Sequence, residues 1–124
     1  MTNLERLNTY LNNKNYFTDE AHSQTVYQEI LEENHLDPFE TYEKANDQIN
    51  MLESVYSILQ MLANDVMMFI RVETEFTTVT AAYSYLQKRL EDLRKEIDRV
   101  KLSTSYRDES GNVSSMVTYL FYNS

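Results

Sequence analysis

The stretch Ile49–Ile70, INMLESVYSILQMLANDVMMFI, constrains this chain more than any other, because fifteen of its twenty-two residues are apolar. Up to position 64 its polar residues, Asn50, Glu53, Ser54, Ser57, Gln60 and Asn64, fall mostly three and four apart. That spacing predicts a helix that keeps one narrow wet stripe and buries the rest. Beyond Asp65 the stripe stops. Helical spacing would put its next polar positions where Met67 and Met68 stand, followed by Phe69 and Ile70. The helix therefore either ends near Asn64 or has its last turns covered. Crossing a bilayer would put Glu53 and Asp65 in hydrocarbon, so the stretch is read as core and no membrane is expected.

The rest of the chain can hardly be built from tight turns, since it has one glycine and one proline in 124 residues, against an ordinary usage of about 7% and about 5%. Sandwiches and barrels need turn residues every ~8–12 positions, which leaves an all-α fold. The expectation is a small bundle of about four helices around a long apolar central one, with an extended, β-prone C-terminal arm. Residues 1–100 form the bundle domain and residues 101–124 the arm. There is no cysteine, so disulfides and thiolate metal sites are excluded. The opening residues, MTNLERLN, lack a basic segment followed by an apolar run and do not read as a secretory signal.

From the N-terminus, Thr2 and Glu5 form a capping box ahead of Leu4, Leu7 and Leu11 on one helical face, and Asn12-Asn13-Lys14-Asn15 ends that helix. Thr18 is the expected N-cap of a second helix, with Asp19 and Glu20 in its first turn and Val26, Tyr27, Ile30 and Leu31 on its face. Asn34 can take the left-handed conformation at its end. Asp37-Pro38-Phe39-Glu40 then has the pattern of a helix start, continuous to about Asn64 or broken near Asn46-Asp47. Residues 70–76 alternate in polarity, which suggests an extended segment. Thr77 or Thr78 caps a last helix whose seam from Leu86 is a strict heptad: Leu86, Leu90, Leu93, Ile97, Val100. Such a narrow seam packs on the central helix or on a neighbouring copy. After Leu102 comes a polar run with the only glycine, then Met116-Val117-Thr118-Tyr119-Leu120-Phe121-Tyr122, uncharged and strongly β-prone.

Chemistry is sparse. His22 and His35 lack metal-ligand spacing, no glycine-rich phosphate loop is possible, and nucleophile motifs are absent. The chain is therefore read as a non-enzyme with no cofactor and no metal. Charge is informative: residues 1–66 carry twelve acids against Arg6, Lys14 and Lys44, a balance of −9, while residues 67–124 sum to zero. An acidic first half argues against gripping a phosphate backbone. It suits a soluble surface, a basic protein partner, or a wall past which DNA moves without sticking. Glu29, Glu32 and Glu33 are the candidates for such a wall. Met67, Met68, Leu86, Leu90, Leu93, Ile97, Met116, Val117, Tyr119, Leu120, Phe121 and Tyr122 are the candidates for an oligomer or partner interface.

A Leu-rich opening helix (LERLNTYL), then EENHLDP leading into the long apolar helix, then TAAYSYLQKRLEDLRKEI and a short β-prone tail resembles the head-to-tail connector (adaptor) proteins of tailed bacteriophages. The likeness lies in the layout of residues 2–100. It implies a structural virion protein at the neck, assembled in the host cytoplasm. Copies would form a homo-oligomeric, dodecameric ring beneath the portal protein, joined to a tail or stopper protein, with DNA passing through without specific binding. That family has no catalytic residues to carry over. Two other readings stay open: an acidic DNA mimic that inhibits a nucleic-acid-binding enzyme, and a small helical regulator that dimerises through the Leu86–Val100 seam.

Overall fold

The computed structural model describes residues 1–108, which form five helices: α1 (Asn3–Tyr10), α2 (Glu20–Glu33), α3 (Lys44–Asn64), α4 (Val66–Val72) and α5 (Val79–Asp108). The all-α class holds for these residues, and the C-terminal arm from residue 109 lies outside them. α3 and α5 run side by side in opposite directions. Leu52, near the start of α3, clusters with Ile97 and Val100 late in α5, while Ala63 at the far end of α3 shares a groove with Gln87 and Leu90. α1 and α2 pack on α3, and α4 lies against both long helices.

α1 begins with the reciprocal capping box, Glu5 N–H donating to Thr2 Oγ1 at 3.1 Å and Thr2 N–H to Glu5 Oε1 at 2.7 Å. Its next two free amides are satisfied from far along the chain: Asn3 N–H donates to the Glu40 carbonyl and Leu4 N–H to that of Pro38, both at 2.9 Å. This explains why Asp37–Glu40 does not start a helix as its sequence suggests. Its carbonyls serve α1, Asp37 Oδ1 accepts from Phe39 N–H to close a local turn, and α3 starts only at Lys44. The Arg6 guanidinium, 4.9 Å from the Tyr10 ring centroid and 5.3 Å from that of Tyr42, ties the same loop to α1.

Other boundaries move by a residue. Asp19, not Thr18, caps α2, its carboxylate accepting from His22 N–H at 2.8 Å. Thr18 instead sits at φ 58°, a conformation a β-branched residue adopts at a cost. At the other end of α2 the left-handed residue is His35 (φ 64°) rather than Asn34. Asn12 and Asn13 do take positive φ and end α1, as short polar side chains allow.

α3 ends at Asn64, where the polar stripe stops. The chain bends by 104° at Asp65 into α4, so the segment expected to be extended is helical through Val72. The bend drops Phe69 into the core at 1% exposure. No single helix among the described residues is long and apolar enough to cross a membrane; only the bent α3–α4 pair reaches that length and apolarity. Ser54 departs from the wet stripe. It is fully buried, its hydroxyl donating to the Asn50 carbonyl at 2.9 Å, and such back-bonding lets a serine enter a core. α5, capped by Thr78 Oγ1 on Ala81 N–H, continues to Asp108. The helical body therefore passes the boundary expected at residue 100, and the first residues of the polar run 105–115 are helical.

Candidate interaction surface

Leu86, Leu90 and Ile97 are buried, at 0%, 6% and 0% exposure, and Leu93 is half-buried against them. The heptad seam is thus this chain's own core and not a face offered to another copy. The physical reason is α3: its apolar face needs cover over 21 residues, and α1 and α2 cover only part of it. Of the two methionines, Met68 packs on the core and Met67 is exposed at 64%. Glu29, Glu32 and Glu33 all lie exposed on α2. From Asn15 to Glu43 the chain carries eight carboxylates and no lysine or arginine of its own. Met116, Val117, Tyr119, Leu120, Phe121 and Tyr122 lie outside the described residues.

Between α3 and α5 runs an open groove of about 430 Å³. Tyr56, Ala63 and Leu90 supply its apolar surface, and the carboxamides of Gln60, Asn64 and Gln87 line it from both helices. At one end Arg94 lies 4.5 Å from the Tyr56 ring centroid and pairs with Glu53 at 3.5 Å, beside Glu91 and Lys95. At the other end the same ridge of α5 continues in steps of four through Tyr83 and Val79, exposed at 46% and 50%.

A second feature has no signature in the sequence. Glu73, at the end of α4, is buried yet charged, accepting from Tyr16 Oη at 2.6 Å and from Lys14 Nζ at 2.7 Å. Burial pushes its carboxyl up, but these two bonds outweigh it and hold the group below the usual glutamate range. The bond to Glu73 raises Lys14, and burial above all raises Tyr16. Arg71 adds donors to the Tyr16 and Thr18 carbonyls at 3.1 and 3.0 Å, holding Thr18 in its unfavourable turn. Phe69 stacks between Tyr16 and Tyr85, with centroids 5.8 and 5.9 Å away. Every oxygen of Glu73 has a partner from its own chain, so the cluster acts as a clamp that fastens the α1–α2 loop to the α4 corner. Its partners lie 57 and 59 residues away, beyond the reach of any local pattern. Among the described residues no group of three or more His, Asp or Glu side chains is placed to hold a metal ion.

Comparison with protein-family models, curated proteins and solved structures finds no match to this chain.

Proposed function

We propose that the chain is a structural virion protein, a head-to-tail connector whose copies form a ring under a portal protein around the DNA channel. One observation supports this reading beyond the sequence layout: the longest helix runs on past the start of its antiparallel partner α3. Ser103 of α5 already stands beside Lys44, the first residue of α3, and the helix continues to Asp108. The uncharged residues 110–124 follow. An apolar, β-prone sequence following a helical body whose heptad seam is already filled suits a contact with something else. In this reading the acidic face of α2, with Glu29, Glu32 and Glu33, borders the channel, where like charge repels the DNA backbone. The portal protein and a tail or stopper protein are the partners, and no cofactor takes part.

Light scattering on the purified chain, alone and with a candidate portal protein, tests this. A ring-sized mass, or a stable complex with the portal, is expected; a monomer under both conditions overturns the reading. The acidic side also favours a second reading, a DNA mimic. Inhibition of a nucleic-acid-binding enzyme by the monomer, relieved by Glu29→Gln, Glu32→Gln and Glu33→Gln together, would select it. A regulator dimerising through the heptad has lost its surface, because α3 occupies it.

A further inference from the structure

We propose that the loop between α1 and α2, residues 12–18, is a strained latch on α4: it stays shut while Glu73 is charged and, when acid protonates that carboxylate, opens as a unit ahead of the helices and uncovers Phe69.

The loop is strained and lightly held. Of the four left-handed residues among those described, three lie in it: Asn12 at φ 56°, Asn13 at 58° and Thr18 at 58°. Asparagine tolerates that conformation, whereas threonine, branched at Cβ, adopts it at a cost. Among the described residues no backbone-to-backbone hydrogen bond holds 15–18. Side chains hold them instead. Tyr16 N–H donates to Tyr27 Oη at 3.1 Å and Phe17 N–H to Ser23 Oγ at 2.9 Å. The same two hydroxyls donate to the carbonyls of Lys14 and Phe17, both at 2.8 Å. A segment held this way can open without unwinding a helix.

The catch is on α4, and it has two halves. Arg71 donates to the carbonyls of Tyr16 and Thr18, while Glu73 accepts from Tyr16 Oη and Lys14 Nζ. A guanidinium does not titrate, so acid acts on the Glu73 half. Glu73 is faced by Lys14 and Tyr16 from the loop and by Glu75 from the turn after α4. Arg89 and Tyr85 on α5 and Tyr27 on α2 act on Tyr16 or Lys14 rather than on Glu73 itself. Protonation turns one Glu73 oxygen into a donor and leaves the Lys14 ammonium without its counter-charge. Buried at 7% exposure, the carboxyl has no water to turn to.

Tyr16 is also the cover of the aromatic corner. Its ring lies on one side of Phe69 and that of Tyr85 on the other. A loop that lifts takes Tyr16 away and opens one face of a ring that is 1% exposed when the latch is shut.

Amide exchange of the full chain, followed residue by residue by NMR from neutral pH into acid and corrected for the intrinsic pH dependence of exchange, tests this. The amides of Tyr16 and Phe17 report the latch, and those of Ile58 and Leu59, fully buried on α3, report the body. With the latch shut the Glu73 carboxyl sits below the usual glutamate range. Closure is therefore fully supported above about pH 4.3 and weakens as the pH falls toward the lower, shut value. In that window the protection of Tyr16 and Phe17 should fall about tenfold per pH unit, the slope of one proton, while Ile58 and Leu59 keep theirs. Glu73→Gln should show the low protection already at neutral pH, with no further fall in acid. Thr18→Asn keeps the catch and relieves the left-handed residue, so it should raise protection about fivefold at neutral pH. Protection lost in step with α3, a fall that survives Glu73→Gln, or indifference to Thr18→Asn each overturn the proposal. Should Glu73→Gln fail to fold, Lys14→Met removes one donor at a side chain 40% exposed and should move the fall to higher pH; an unmoved fall overturns the proposal equally.

Discussion

At the α4 corner, Tyr16, Phe69, Phe76 and Tyr85 stack within 6 Å of one another's centroids along the chain of contacts, over a buried Glu73 held by two donors. At the opposite end of the same two long helices, the core thins to Leu52, Ile97 and Val100, flanked by pairs from Glu53 to Arg94 and Lys101 at 3.5 and 3.4 Å. One end is crossed by three further chain segments, whereas at the other the two long helices meet with Tyr10 of α1 at their margin and half-exposed ion pairs beside them. The difference locates where the body is rigid and where it can give. It is the thin end from which α5 runs on to Asp108.

The comparison is broken most directly at Phe69. Phe69→Ala removes the ring at the centre of three aromatic contacts and leaves a cavity, which should cost about 4 kcal/mol in a denaturant titration followed by circular dichroism. A loss below half of that would mean the corner collapses freely and is no more rigid than the other end.

Glu73 comes next. Glu73→Ala strips a buried acceptor from Tyr16 and should cost about 3 kcal/mol, as removal of one member of a buried pair does. The pH dependence follows from the direction of the shift. The folded carboxyl titrates below the unfolded value of about 4.3, so its stabilisation is complete above that pH and is lost as the pH falls through the lower, folded value. Acid unfolding of the wild type should therefore steepen below about pH 4.3, and Glu73→Gln should flatten that limb. An unchanged acid limb in Glu73→Gln would show that the clamp is not what acid breaks.

Ile97→Ala sharpens the contrast, because Ile97 is as fully buried as Phe69 and differs in its surroundings. With two helices free to close the gap, the loss should be about 2 kcal/mol, at the low end for such a truncation. If it equals the Phe69 loss, the thin end is as well packed as the corner.

How much of this was legible beforehand depends on how local each cause is. The capping box at Thr2, the Thr78 cap, the end of α3 at Asn64 and the α5 heptad are set by residues within a turn or two of each other, and those readings describe the structure. The larger failures involve distant partners, whereas the shifts from Thr18 to Asp19 and from Asn34 to His35 are local slips of one residue. Asp37–Glu40 has the local pattern of a helix start but gives its carbonyls to Asn3 and Leu4. Ile70-Arg71-Val72 alternates like a strand, yet the bend at Asp65 gives it a core to cover as a helix. Glu73 looks like any surface glutamate until the loop carrying Lys14 and Tyr16 folds over it. The heptad was visible, but periodicity shows only that a face is buried, not by which chain. The groove was legible only in pieces: Gln60 and Asn64 belong to the wet stripe of α3 and Leu90 to the heptad of α5, and neither period shows that the two helices leave an opening between them.

The smallest effect expected is at the ion pairs of the thin end. Lys101 and Arg94 both reach Glu53 and remain half in water, with side-chain exposures of 51% and 42%. Exposed pairs of this kind contribute about 0.2–1 kcal/mol at most, and two cations sharing one carboxylate partly replace each other. Lys101→Ala should therefore cost about 0.3 kcal/mol, and less as salt is raised toward 1 M and screening shortens the range of the attraction to about 3 Å. Arg94→Ala should cost more than Lys101→Ala, because Arg94 also covers the Tyr56 ring, and that part should survive high salt. Thermal melts of both variants at low and high salt separate the two contributions. If both losses vanish together in salt, Arg94 acts through charge alone and the thin end owes nothing to its packing on Tyr56.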